Sequence, residues 1–397
     1  MNDHSVITLH PLHFGAEEGG EREVGRPDTG VFVALPEEGL VLLELLAGGL
    51  TLAEVRSRFA ERFGTEPELA DFLGGIGECG FVAAVDGEPT TAEETEQEPA
   101  RGVRLFGNVR QQRVAWLLTP PMRVLYWAVW LTVPLLVMLS PELLPHPSDT
   151  LIFDRILTST LFLAVVGWTL VLLHECAHAL IARALGCTGW LSISRRMYFL
   201  VAQTDVSGVR VAPRNRRYAA FLAGMTWDLA VVAACLAVQL AGVGGMGERI
   251  ARAVTYMLVV ALLCQFLVFM RMDVYYVLAN WLRAGNLHED TRHLLANRAR
   301  QLVGRAPRHD LSAVPARERR IIRWYAPFYL VGSAVALVAL GLLLLPGLWP
   351  FVEMALHGVA GSLDTAAFWD GAGFLLLLLS QFATLIWVWA RERRTVQ

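Results

Sequence analysis

The chain has 397 residues, 54% of them hydrophobic, and a mean hydropathy of +0.44. That composition excludes an ordinary soluble enzyme and points to a polytopic membrane protein. Net charge is only -3, so its placement matters more than its total; every fixed positive charge is arginine, with no lysine. The five cysteines (Cys79, Cys176, Cys187, Cys235, Cys264) are odd in number and scattered, which argues against a disulfide framework. The first thirty residues lack a basic start followed by an apolar core, so no secretory signal is expected and the N-terminus should stay in the cytoplasm.

In chain order, residues 6–14 form a short alternating piece, followed by a Gly/Glu/Arg-rich connection. Val31–Leu35 reads as a strand. Pro36 then opens a helix through Ala47 that ends at Gly48-Gly49. Thr51 with Glu54 three residues on is a capping-box start for a helix near 52–63, stopped by Gly64. A third helix over about 66–78 and a strand Phe81–Val85 complete a small winged-helix-like α+β domain, residues 1–88. Asp86 to Ala100 carries six acidic residues and almost nothing apolar, so 89–104 reads as a flexible acidic linker to a membrane domain at 105–397. Acidic residues offset the few arginines of the first domain, which disfavours nucleic acid as a partner.

Leu40–Val55 and Gly77–Val82 together resemble the PqqD-like family, the leader-peptide recognition domains of ribosomally made peptide natural products. The resemblance covers about sixty residues. It implies capture of a precursor peptide as an added strand.

Six spanning candidates follow, at about 122–140, 154–183, 218–243, 252–272, 324–346 and 370–390. Each supplies close to the ~20 apolar residues that a bilayer core requires. The fold class expected is therefore mainly α: a membrane helix bundle with the small α+β domain at its N-terminus. The loop 184–217 carries six arginines, 273–323 carries ten, and the chain ends in Arg391-Glu-Arg-Arg394. Segments 141–151 and 346–370 carry none. The positive-inside rule then places both termini and both arginine-rich loops in the cytoplasm.

The second span contains His174-Glu175-x-x-His178. Residues four apart share a helix face, so both imidazoles can point at one ion, with Glu175 placed to take a proton from water beside it. Burying two histidines and a glutamate in lipid is costly without a task. In the orientation above, the fourth span brings Asp273, in Arg271-Met-Asp-Val-Tyr-Tyr276, to the same depth as a third ligand. Asp228, within the apolar run Ala223–Ala230, competes as a ligand, as a partner of a ligand histidine, or as part of a water path; Asp273 is favoured.

These residues resemble the site-2 protease family of intramembrane zinc metalloproteases, and within it the branch of peptide zinc metalloproteases. The family pairs His-Glu-x-x-His with a later Asp-Gly; here Val274 stands where that Gly is usual. The resemblance covers most of 105–285. It implies a Zn2+ held by His174, His178 and Asp273 and Glu175 as general base and acid. The function implied is leader removal from a precursor peptide in a bacterial cell membrane, with peptide-modifying enzymes or an exporter as further partners. Two alternatives remain: regulated intramembrane proteolysis of a signalling protein, or a non-catalytic membrane scaffold.

Between the second and third spans, Trp190–Ser194, Met197–Val201 and Val209–Val211 are β-type runs, readable as a substrate-pairing hairpin or as a sheet on the lipid interface. Residues 284–304 place Leu287, Thr291, Leu294, Leu295, Arg298 and Leu302 on one face, an expected interfacial helix on membrane lipid, with His288 and His293 solvated.

Overall fold

The computed structural model describes residues 2–18, 20–26, 31–89, 103–196, 199–312 and 314–395. Two compact units divide it. The first comprises Met1–Leu118, His178–Ile193 and Gln203–Ala220; the second comprises Thr119–Ala177, Ser194–Ala202 and Phe221–Gln397.

The first unit begins with strands β1 (Ile7–Leu9), β2 (His13–Glu18), β3 (Glu21–Arg26) and β4 (Val31–Pro36). Helices α1 (Glu37–Ala47), α2 (Leu52–Phe63) and α3 (Leu69–Glu78) follow, then β5 (Val82–Val85) and β6 (Glu88–Pro89). The capping box at α2 forms: the Glu54 amide donates to Thr51 Oγ1 at 3.4 Å, and the Thr51 amide donates to Glu54 Oε2 at 2.9 Å. Gly64 ends that helix at φ 70°, a conformation glycine adopts without a steric cost. The apolar stripes of the three helices meet in one core with Ile7, Val24 and Phe81, through Leu43, Leu46, Val55, Phe59, Leu73 and Ile76. Each such side chain fully removed from water contributes about 1.5–3 kcal/mol.

The connection expected before β4 is instead a hairpin. β2 and β3 pair antiparallel across a turn at Gly20 (φ 85°), and β3 pairs with β4 from Glu21↔Pro36 to Arg26↔Val31. Of β3 only Val24 and Gly25 are buried, so its charged residues hide the alternation that would mark a strand. The body of the acidic linker, 90–102, lies outside the described residues.

After it come β7 (Val103–Leu105), the short helix α4 (Gln111–Val114), α5 (Pro120–Leu139) and α6 (Ile156–Ala184). Strands β8 (Gly189–Arg196) and β9 (Phe199–Asp205) form the expected hairpin, in a sheet of order β7-β8-β9. The third β-type run is not a strand: Ser207–Val211 is a 3-10 turn, with Gly208 inside it and Pro213 just after it, which favour turning over pairing. The remaining helices are α7 (Arg214–Phe221), α8 (Ala223–Leu240), α9 (Gly245–Gln265), α10 (Asp273–Leu282), α11 (Leu287–Leu302), α12 (Ala316–Val359) and α13 (Ala366–Thr395).

Among the described residues, five helical segments are long and apolar enough to cross a membrane: Pro120–Leu139, Ile156–Ala184, Ala223–Leu240, Ala316–Val338 and Ala366–Thr384. The fourth candidate, expected at 252–272, is a helix of 21 residues that starts and ends earlier; Glu248, Arg249 and Arg252 occupy its first turns and keep it outside that set. The span expected over 218–243 is broken at Leu222 into α7 and α8. The expected loop after 346 is largely helix, because α12 continues to Val359.

In the second unit α5, α8 and α9 pack through Val133, Leu229, Val232, Leu236, Val254 and Leu258. Polar bonds cross the same interface, from Trp130 Nε1 to Thr226 Oγ1 at 3.0 Å and from Gln239 Nε2 to Thr255 Oγ1 at 3.1 Å. Such bonds between apolar helices are worth about 0.6–2 kcal/mol each. The Asp370 carboxylate on α13 accepts from the Ile156 and Leu157 amides at 2.8 and 3.0 Å, capping α6 from far along the chain.

Helix α11 is not simply a lipid-facing amphipath. Leu287 and half-buried Leu294 pack with Val268, Tyr275, Ile322 and Tyr325, so this face is used by protein; Leu302 beyond it is exposed. His288 is likewise not solvated, its ring lying edge-on to Tyr275 and Tyr329.

Candidate metal centre

Helix α6 carries His174, Glu175 and His178, all three buried. His174 and His178 are one turn apart, which puts their rings on one face of the helix. The chain leaves α9 after Gln265, turns through Val268–Met270, passes Arg271 in the left-handed region (φ 58°), and enters α10 at Asp273. Gln265 fixes that entry: its Oε1 accepts the Asp273 amide at 3.2 Å, one of the N–H groups a helix start leaves without an internal partner. His174, His178 and Asp273 thus form a buried group that could hold a metal ion, with one ligand atom from each within 4.8 Å of the others.

The hydrogen bonds decide which nitrogen each ring offers. His178 Nδ1 lies 2.7 Å from the Ala220 carbonyl, which can only accept; Nδ1 is therefore the protonated nitrogen, and Nε2 keeps its lone pair. His174 places both ring nitrogens against carboxylates, Nδ1 at 2.7 Å from Asp228 Oδ2 and Nε2 at 3.0 Å from Asp273 Oδ2; with Nδ1 donating to Asp228, a neutral ring would turn its Nε2 lone pair toward a cation shared with Asp273. Donors around a tetrahedral zinc at ~2.1 Å stand about 3.4 Å apart, so this separation fits a shared ion.

Asp228 is 2% exposed, and its Oδ1 has no hydrogen-bond partner among the described residues. A buried carboxylate with one oxygen on a ligand imidazole is the usual outer support of a metal site, raising the ligand's basicity and fixing its orientation. Of the roles open to Asp228 in the sequence, this geometry fits that of a partner to the His174 imidazole.

Glu175 is buried beside His174 but is not a member of the ligand group. Three contributors were missed in the sequence: the Ala220 carbonyl, the Gln265 side chain and Gly224. Gly224 lies against the His174 imidazole, where an added Cβ would overlap Nε2. A clue was available for Gly224 alone, a glycine inside an apolar helix four residues before Asp228.

Cys187 is not part of the site. Its thiol donates to the Gly208 carbonyl at 3.1 Å, and burial pushes it up to about 11 despite the nearby Arg183. At pH 8 alkylation of Cys187 in the folded protein should run on the order of a hundredfold slower than that of an unperturbed thiol, read peptide by peptide by mass spectrometry.

Searches against known protein families, curated proteins and solved structures found no match for this chain.

Proposed function

We propose that this chain is a membrane-embedded zinc endopeptidase of the site-2 protease type, which removes the leader from a ribosomally made precursor peptide. The observation that carries the reading is the convergence of His174, His178 and Asp273 in a buried group, with both Nδ1 atoms occupied and Glu175 adjacent. A His2Asp set leaves a fourth position open, as a catalytic zinc site needs. When bound, zinc supplies Lewis acidity to a scissile carbonyl and to water. Glu175 takes the proton from the attacking water and delivers it to the leaving amine. Asp228 and the Ala220 carbonyl hold the two imidazoles in the ligating tautomer throughout.

The first unit supports a peptide substrate. In the sheet β2-β3-β4, β4 is an outer strand that pairs with β3, and its other edge is the natural place for an added strand. The arginine-rich segments 184–217 and 273–323 support an orientation with both termini on the cytoplasmic side of a bacterial cell membrane.

Mass spectrometry of candidate precursor peptides incubated with detergent-purified protein tests the proposal, with Glu175→Gln alongside. The expected result is one defined cut by the wild type, slowed by about 10²–10⁴-fold or more in the variant. Zinc bound and peptide captured, with no cut by either protein, would contradict the peptidase reading and favour a scaffold.

A further inference from the structure

The face of the N-terminal sheet turned away from its own core meets the segment that holds a metal ligand. Successive residues of a strand point to opposite faces. On β3, Val24 enters the core under the helices, whereas Glu23 points the other way, where its Oε2 lies 3.3 Å from Arg217 Nη2. The two side chains are only 24% and 12% exposed. Beside this pair Gly15 allows a close approach: a Cβ there would stand 3.0 Å from the Glu23 carbonyl oxygen and 3.4 Å from Val211 Cα. Arg217 Nε also donates to the Ala212 carbonyl at 2.8 Å, so one guanidinium ties β3 to the turn that launches α7.

Helix α7 is eight residues long and ends before the break at Leu222. Ala220 lies three residues after Arg217, on the same face and in the last turn, where carbonyls have no intrahelical partner. That free carbonyl accepts from His178 Nδ1. The break between α7 and α8 is therefore what makes an acceptor available to the ligand.

We propose that Glu23 and Arg217 are positioning residues for the metal centre. Their ion pair fixes α7, and through the Ala220 carbonyl it fixes the tautomer and direction of the His178 ring. Metal affinity then depends on a sheet more than 150 residues away in sequence, the same sheet whose β4 edge is offered to a peptide. A partly buried pair suits this task, because removing Glu23 takes from the Arg217 guanidinium the carboxylate that holds it against β3 and lets the helix move. The inference rests on His178 being a ligand, and on no statement about what is cleaved.

The test is the apparent zinc affinity of full-length detergent-purified protein, measured by competition with a chelating dye. Glu23→Arg, Arg217→Glu and the double exchange are compared with wild type, and His178→Ala reports separately whether this histidine binds zinc. Each single reversal is expected to weaken zinc about tenfold, the lower end of the effect of outer supports, while the double exchange recovers most of the loss. Circular dichroism identifies any single variant that fails to fold, in which case the double exchange decides. A folded double exchange with a full tenfold deficit, or folded single variants with wild-type affinity, would overturn the proposal. An affinity unmoved by His178→Ala would overturn it by a distinguishable route, through the metal reading itself.

Discussion

Gly224→Ala is expected to empty the metal site without removing a ligand. The added methyl group would occupy the space of the His174 ring at Nε2, the nitrogen turned toward Asp273. Neither side can give way cheaply. The ring is buried and tied at Nδ1 to Asp228, and α8 is held by Val232 and Leu236, both 0% exposed. Overpacking of this kind costs ~1–3 kcal/mol, and here relief comes most readily by turning the imidazole out of line. Metal analysis after gel filtration should show zinc loss comparable to that of His174→Ala, with helical content unchanged. Asp228→Asn is the graded companion. It keeps the volume but weakens the support of Nδ1, and should lower zinc affinity about 10–100-fold. Full zinc retention by Gly224→Ala would show that His174 is not a ligand in this orientation.

Asp370→Ala should be among the most destabilising single changes outside the site. Helix α6 starts at Ile156, and the Asp370 carboxylate on α13 takes up the first two amides of that helix. Ile156 is buried with Ala355 and Phe374, so water does not replace the lost acceptor freely. Leaving two such donors unsatisfied costs on the order of 2–4 kcal/mol, and the favourable charge at the helix N-terminus is lost as well. Thermal unfolding in detergent should show a drop of several degrees for Asp370→Ala, a smaller one for Asp370→Asn, and none for Asp364→Ala in the exposed turn between α12 and α13. An unchanged transition for Asp370→Ala would mean that α6 is held by packing alone.

The parts legible in the sequence were those with local causes. Capping at Thr51, the stop at Gly64 and the apolar stripes between them outlined α1 to α3, and four-residue spacing placed His174 and His178 on one face. Asp273 came within reach because the alternation of spans expected from charge bias brings it to the depth of His174 and His178. What stayed hidden depends on contacts between distant residues. The strands β2 and β3 carry their apolar signal in Val24 almost alone. The break at Leu222, without which the Ala220 carbonyl would be consumed inside a helix, falls in Phe221-Leu222-Ala223, where no glycine or proline announces it. Whether Asp228 or Asp273 joins the two histidines could not be read from spacing, since each lies near a helix end; one bond to Nδ1 and one approach to Nε2 separate them. Asp370 likewise shows its purpose only beside Ile156.

The most direct test of the central claim is X-ray absorption at the zinc edge on purified, zinc-loaded protein, with Asp273→Ala measured in parallel. One zinc per chain is expected, with a first shell of nitrogen and oxygen at about 2.0–2.2 Å, two of its scatterers imidazoles, and no sulfur near ~2.3 Å. In the variant the shell should lose an oxygen and the ion should bind more weakly. A sulfur-containing shell, or a spectrum and affinity untouched by Asp273→Ala, would contradict a metal centre built from His174, His178 and Asp273.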